Sequence, residues 1–374
     1  MRITNILFIS VLFSLCSCVQ SHLTQSGLDA EKFSSITEKG ETALYTINNK
    51  SGMEVCLTNY GGRIVSVMVP DRNGIRRDVV LGFDNIHDYM QIDNNFGATI
   101  GRYGNRIADG RINIDGTEYQ LPQNDFGHCL HGGPDGWDHR VMDVSELTDS
   151  SLVFSLLSPD GDANFPGTVN ASVKVTVTDD NSIKLEYEAT TDKKTIINMT
   201  NHSYFNLNGN PEDGILDHQM YINADTFTPI DSTFMTSGEI RPVYGTPMDF
   251  TRPELIGHDI ETDDEQLANG RGYDHNWILN THGNIEEVAA CLYSPVSGIM
   301  LEVFTDEPGI QVYTGNFLDG TITGKDKKRY VHRASVCLEA QHFPDSPNKP
   351  EWPSPILEKD ETYKSTCIYK FSVK

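Results

Sequence analysis

Two neighbouring stretches of the chain alternate apolar and polar residues one for one. Val173–Thr178 reads VKVTVT and Ile183–Ala189 reads IKLEYEA, with Asp179-Asp180-Asn181-Ser182 between them. A period of two buries one face of a strand and wets the other, so the pair reads as a hairpin with a single buried face. Arg111–Leu121, RINIDGTEYQL, repeats the device with Asp115-Gly116 as its two-residue turn. Further strands are expected at Glu54–Tyr60, Ile64–Val69, Leu152–Leu157, Met300–Phe304 and Ile310–Tyr313. Helical apolar periodicity never lasts beyond about three turns. With 31 Gly and 17 Pro punctuating short strands, the chain reads as all-β, a large sandwich or barrel. No repeat and no linker interrupts residues 41–374, which read as one domain.

Charge narrows the partners. Lys and Arg number 29 against 53 Asp and Glu, a formal net charge of −24. Such a chain repels polyanions, so no nucleic-acid partner is expected. Hydrophobic residues make up 38%, enough to build a core and to exclude wholesale disorder.

The N-terminus reads as an export signal. Arg2 precedes an apolar run from Ile6 to Leu15, too short to span a bilayer and the right length for a signal-peptide core. The run ends in Leu15-Cys16-Ser17-Cys18, which resembles a bacterial lipoprotein cleavage box with Cys18 as the lipidated residue. Residues 1–18 are therefore expected to be a lipoprotein-type signal peptide. Residues 19–40 are polar and without periodicity, and read as a tether. The expected location is exported, on a bacterial membrane facing the periplasm or the cell surface, with the lipid as the only membrane contact. Five cysteines follow Cys18, widely spaced and without a CxxC pair, so no zinc ribbon or redox motif is present. Cys56 and Cys337 sit in apolar strand-like runs, where a buried free thiol is expected.

Polar islands interrupt the strands: GRYGNRIADG (101–110), HCLHGGPDGWDHR (128–140), TNHSYFNL (200–207), GYDHNWIL (272–279) and LEAQHFPDSPN (338–348). Twelve His raise the question of a metal. Metal motifs favour tight sets such as HExxH, whereas His128 and His131 lie on a Gly-rich loop with no evident third ligand. A Ser-His-Asp hydrolase is disfavoured, because there is no GxSxG elbow and Ser203 directly follows His202. A glycosidase carboxylate pair drawn from Glu339, Asp274 and Asp345 stays open. The pairing of one Glu with one His among amides and aromatics points elsewhere, to proton shuttling on a neutral polyol. A carboxylate takes a hydroxyl proton, and an imidazole gives one near neutral pH. Trp137, Tyr204, Phe205, Trp277 and Phe343 are candidate rings to stack on a sugar.

The islands, with NYGGRIVSVMVPDRNG (59–74), NFPG (164–167) and PMDF (247–250), occur in an order and spacing that resembles the aldose 1-epimerase (galactose mutarotase) family. The resemblance covers about residue 41 to 374. It implies a large antiparallel β-sandwich, the galactose mutarotase-like supersandwich, with an open sugar cleft, a monosaccharide substrate, and no cofactor or metal. It also implies Glu339 as general base, His202 as general acid, and Asn105, Arg106, His131 and Asp274 as holders of sugar hydroxyls. The implied activity interconverts α and β anomers of free aldohexoses such as glucose and galactose. One departure is visible. FGHC (126–129) precedes LHGG where the family often carries an Asn-containing stretch, so His128 stands about where that Asn would be. Two other readings remain beside this one: a non-catalytic sugar-binding module, and another carbohydrate enzyme on the same fold.

Overall fold

The computed structural model describes residues 23–374. Three antiparallel sheets dominate. The nine-stranded sheet runs Asp143–Ser145, Ser151–Ser158, Val169–Val177, Ser182–Thr191, Thr362–Val373, Ile299–Thr305, Ala290–Tyr293, Gln219–Ile222, Glu254–Leu255. The six-stranded sheet runs Tyr204–Phe205, Val336–Gln341, Gly309–Tyr313, Asp274–Ile278, Thr226–Thr228, Arg241–Pro242, and a four-stranded sheet covers Leu44–Asn48 to Arg76–Asp78. The alternating stretches pair as read, with Val173 opposite Tyr187. The Asp115-Gly116 turn joins Arg111–Ile114 to Thr117–Gln120, and both turn residues have positive φ, as a tight hairpin requires.

Apolar faces of all three sheets meet in one core. Val55 and Leu57, Phe154, Val173 and Leu301, and Val312 and Leu338 come together there. The architecture is thus a large sandwich rather than a barrel. Because side chains alternate across a strand, the inward Val336, Leu338 and Ala340 send Cys337, Glu339 and Gln341 to the opposite face. Strand register aligns Glu339 with Gln311 and Asn276, and Cys337 with Tyr313 and Asp274. A row of polar groups therefore crosses the outer face of this sheet, beside a second apolar cluster containing Phe96, Tyr204, Tyr313 and Cys337.

Helices are short: Ile86–Gln91, Ile256–Asp259 and Glu265–Gly270. Among the described residues, no helix is long and apolar enough to cross a membrane. Cys56, Cys129, Cys291, Cys337 and Cys367 are free thiols.

The tether reading fails over residues 23–40. Leu28 and Phe33 are buried in the second cluster, and Ser35–Thr37 pairs with Gly40–Thr42. Asp29 caps the single 3₁₀ turn Ala30–Phe33, and Thr42 Oγ1 donates to Phe33 O at 2.8 Å. Two apolar anchors five residues apart suffice to dock a polar segment, and one turn is too short to show a period. The signal peptide and Cys18 lie outside the described residues.

Candidate active site

His202 enters from the short strand Thr200–His202, which pairs with Ala98–Ile100. Its carbonyl accepts from Gly97 N at 2.9 Å. Gly97 has φ +69, and a Cβ there would lie 1.9 Å from the carbonyl oxygen of Ile64, so only glycine lets the backbones approach. Two residues on, the chain changes partner. Tyr204 pairs with Cys337 and Phe205 with Val336. Extending that antiparallel register sets His202 opposite Glu339, where the ladder is interrupted. His202 Nε2 lies 3.5 Å from Glu339 Oε1.

Asn105, Arg106, His131 and Asp274 line the same cleft as His202 and Glu339. All six predicted site residues are thus brought together. The cleft measures about 320 Å³, at the small end of the range for small-molecule sites. Arg106 and Leu130 pair across a two-residue ladder, which joins the Asn-Arg segment to the LHGG loop. Asn105, in the left-handed region at φ +65, donates its backbone N–H to His131 Nδ1 at 3.1 Å. Arg106 Nε donates to Asp125 Oδ2 at 2.7 Å, and its guanidinium sits 5.0 Å from the Phe234 ring centre. Gln311 Nε2 donates to Asp274 Oδ1 at 2.7 Å. The Tyr204 ring stacks on the His202 imidazole at 4.9 Å and 16°, fixing its plane.

Burial dominates the electrostatics. Glu339 is 2% exposed and His202 5%. Removal from water holds His202 down to about 3, against a pull upward from its own backbone, with the Arg63 charge adding to the lowering. Burial pushes Glu339 well above the carboxylate range, Asp274 adds to the rise, and Arg106 opposes it. Asp274 is also raised by burial, against the Arg106 charge and the Gln311 hydrogen bond. Each member of the pair resists its charged form. Glu339 Oε2 has no hydrogen-bond partner among the described residues, which leaves a buried oxygen for a ligand.

His131, His202 and Glu339 also bring three donor atoms within 4.8 Å of one another. The tautomer does not suit a cation. His131 Nδ1 accepts the Asn105 N–H, so its proton resides on Nε2, and a metal-bound His needs the reverse arrangement. His131 is held well below its ordinary value, by burial first and then by His202 and Arg106. It therefore serves as a neutral N–H donor.

Several expectations change. Of the candidate rings, only Tyr204 lines the cleft. Trp137, Phe205, Trp277 and Phe343 are buried in packing, and Trp277 Nε1 donates to Met248 O at 3.0 Å. Phe205 and Trp277 follow strand alternation inward, whereas Trp137 packs from the 3₁₀ turn Trp137–His139 and Phe343 packs from the segment after Val336–Gln341. His128 does not line the cleft. Its Nδ1 accepts from Asp109 N at 3.1 Å and its Nε2 lies 2.9 Å from Thr233 Oγ1, so it staples two loops behind the site. Asp345 caps Ala108 N at 2.9 Å and pairs with Lys349 at 2.7 Å, which removes it from any catalytic pair. Gln311 and Tyr313 line the cleft without having been singled out. The signal was a glutamine inside the otherwise apolar strand GIQVY.

Fold and cleft together define an antiparallel β-sandwich protein with a buried acid–base pair on the floor of a polar, small-molecule site. Residues 43–370 match the profile of the Aldose 1-epimerase family. The galactose mutarotase of Rattus norvegicus is 40% identical over 321 residues, 86% of this chain and 92% of that protein. The aldose 1-epimerase of Escherichia coli strain K12 is 38% identical over 330 residues, 88% of this chain and 94% of that protein. Among solved structures, the GalM/aldose epimerase homologue from C. elegans superposes with TM-score 0.83 at 31% identity, covering 89% of this chain and 99% of that one. The chain belongs to the aldose 1-epimerase family.

Proposed function

We propose that the cleft opens and recloses the pyranose ring of free aldohexoses such as glucose and galactose, interconverting their α and β anomers. The observation that carries this reading is the 3.5 Å separation of His202 Nε2 and Glu339 Oε1 on the floor of the cleft. A pyranose bears O1 and O5 on one carbon, so two neighbouring groups can address both.

Glu339, as carboxylate, takes the proton of the O1 hydroxyl. His202, as imidazolium, gives a proton to O5. The C1–O5 bond breaks and C1=O1 forms. Rotation about C1–C2 presents the other face of the aldehyde, and reclosure reverses both transfers. One proton is conserved on the pair throughout: carboxylate and imidazolium before opening, carboxylic acid and imidazole after it. Burial favours the second arrangement, so the empty-site preference drives protons in the direction of ring opening. Arg106 opposes the rise of Glu339 and so favours the first. Asn105, Arg106, the His131 Nε2–H and Asp274 hold the sugar hydroxyls. These contacts bind both anomers alike, because the anomers differ at one carbon.

Polarimetry of fresh α-D-glucose and α-D-galactose tests the reading. Faster approach to the equilibrium rotation supports it. Sugar affinity without faster exchange favours the sugar-binding module instead.

Residues 1–18 read as the lipoprotein-type export signal, with Cys18 carrying the lipid. The support is the sequence Arg2, Ile6–Leu15 and Leu15–Cys18. In a bacterial host, Cys18→Ser is expected to move the protein from the membrane fraction to the soluble exported fraction.

A further inference from the structure

The strands carrying His202 and Glu339 pair at one end only, through Tyr204–Cys337 and Phe205–Val336. Past Glu339 the ladder does not resume, and Thr200–His202 bonds to Ala98–Ile100 instead. What holds the open end is Asn198, fully buried. Its Oδ1 accepts His342 N at 3.0 Å and its Nδ2 donates to Gly104 O at 3.1 Å. It therefore links the run-up to His202, the strand end beyond Glu339, and the residue before Asn105.

A ring of contacts backs this link. His342 Nδ1 and Glu307 Oε2 form an ion pair at 2.7 Å. Tyr363 OH donates to Glu307 Oε1 at 3.0 Å, and Met199 N donates to Tyr363 OH at 3.3 Å. Met199 follows Asn198 in the chain, so the circuit closes: Asn198, His342, Glu307, Tyr363, Met199. None of these residues lines the cleft.

We propose that this ring is a clamp that sets the spacing of His202 and Glu339, with Asn198, Glu307, His342 and Tyr363 as positioning residues for the proton transfer. It rests on the epimerase reading above. The acid and base are bracketed by ladder bonds on one side and by the ring on the other. Each strand keeps its other neighbour, Thr200–His202 with Ala98–Ile100 and Val336–Gln341 with Gly309–Tyr313, so opening the ring removes the tie between the two strand ends while every cleft side chain stays unsubstituted. Displacements of about 1 Å from outside a site can cost up to about a hundredfold in rate.

The test is anomer exchange of α-D-glucose by the full chain. Tyr363→Phe removes one hydroxyl and is expected to lower kcat about tenfold with KM unchanged and the fold intact. Glu307→Gln is expected to act in the same direction. The double variant falls no further than the worse single, because both open one ring. Tyr187→Phe removes a buried hydroxyl that has no hydrogen-bond partner among the described residues, and is expected to leave kcat alone. A wild-type kcat in folded Tyr363→Phe, or losses that multiply in the double variant, overturns the clamp. If Glu307→Gln does not fold, Tyr363→Phe against Tyr187→Phe decides. If the wild type exchanges no anomers, the epimerase reading falls, and the His202 ring resonances decide the clamp. They shift in Tyr363→Phe and not in Tyr187→Phe if it holds, and stay fixed in both if it does not.

Discussion

His202 and Glu339 face each other across the gap in an interrupted antiparallel pair, 3.5 Å apart, with ladder pairing only two residues away at Tyr204 and Cys337. Both stand on strands rather than loops, fastened to one another at one end by the Tyr204–Cys337 and Phe205–Val336 pairs. A site on rigid elements holds its geometry more closely than one on mobile segments.

Removing either proton carrier is expected to stop turnover without unfolding the chain. Glu339→Gln and His202→Asn should each lower kcat by about 10²–10⁴, read by polarimetry, with circular dichroism unchanged. The double variant should lose less than the product of the two, because both groups act on one transition state. Near-normal exchange by Glu339→Gln would remove it from the base role.

The pH profile should be broad. Free Glu and His titrate at about 4.3 and about 6.5, so an ordinary pair would hold one proton only between those values. Here burial draws His202 down to about 3 and pushes Glu339 well above the carboxylate range. The singly protonated state then extends in both directions. Activity should be flat through neutrality and fall on the alkaline side as the pair loses its last proton. On the acid side, the raised Asp274 takes up a proton first and weakens sugar binding, so KM rises before kcat falls. A sharp optimum near pH 5 would contradict this.

Stability should carry the signature of Glu307 and His342. Burial works to lower His342, but the Glu307 charge and hydrogen bond raise it above its ordinary value. Its contribution is full below about 6.5 and is lost as pH climbs through the raised value. Burial works to raise Glu307, and His342 outweighs it to a net lowering. That contribution is full above about 4.3 and disappears as pH falls through the lowered value. His342→Ala should cost about 3 kcal/mol between these limits, with the difference from wild type shrinking toward acid and alkali. A pH-independent difference in chemical denaturation would count against the pair.

Phe33→Ala should destabilise the chain by about 3–5 kcal/mol, the usual cost of emptying a buried phenyl site. Phe33 has no exposed surface and packs 6.4 Å from the Tyr89 ring. Urea denaturation distinguishes this from a free tether, for which the substitution would change nothing.

What the residues disclosed in advance follows the range of each signal. Alternation is local, so the hairpins at Val169–Thr191 and Arg111–Gln120 were legible. Motif order carried the six cleft residues, because each island is a contiguous word. Register was not legible. Nothing local says that Gln311 aligns with Glu339, or that His128 turns away to Thr233. The aromatic candidates failed for a related reason. A tryptophan beside a polar island looks like a sugar platform, yet Trp277 follows its strand's alternation into the core. Leu28 and Phe33 hid because two isolated apolar residues make no pattern.

On the proposed reading, three of the four groups that grip the hydroxyls reach the cleft by a route separate from the groups that move protons, while the fourth, Asp274, shares the six-stranded sheet with Glu339. Asn105, Arg106 and His131 arrive on loops joined by a two-residue ladder, whereas His202 and Glu339 stand on strands fastened to one another at Tyr204–Cys337. Selectivity can therefore drift through loop substitutions while the catalytic distance stays put, and one chemistry can be offered to many sugars by a scaffold that never has to be rebuilt.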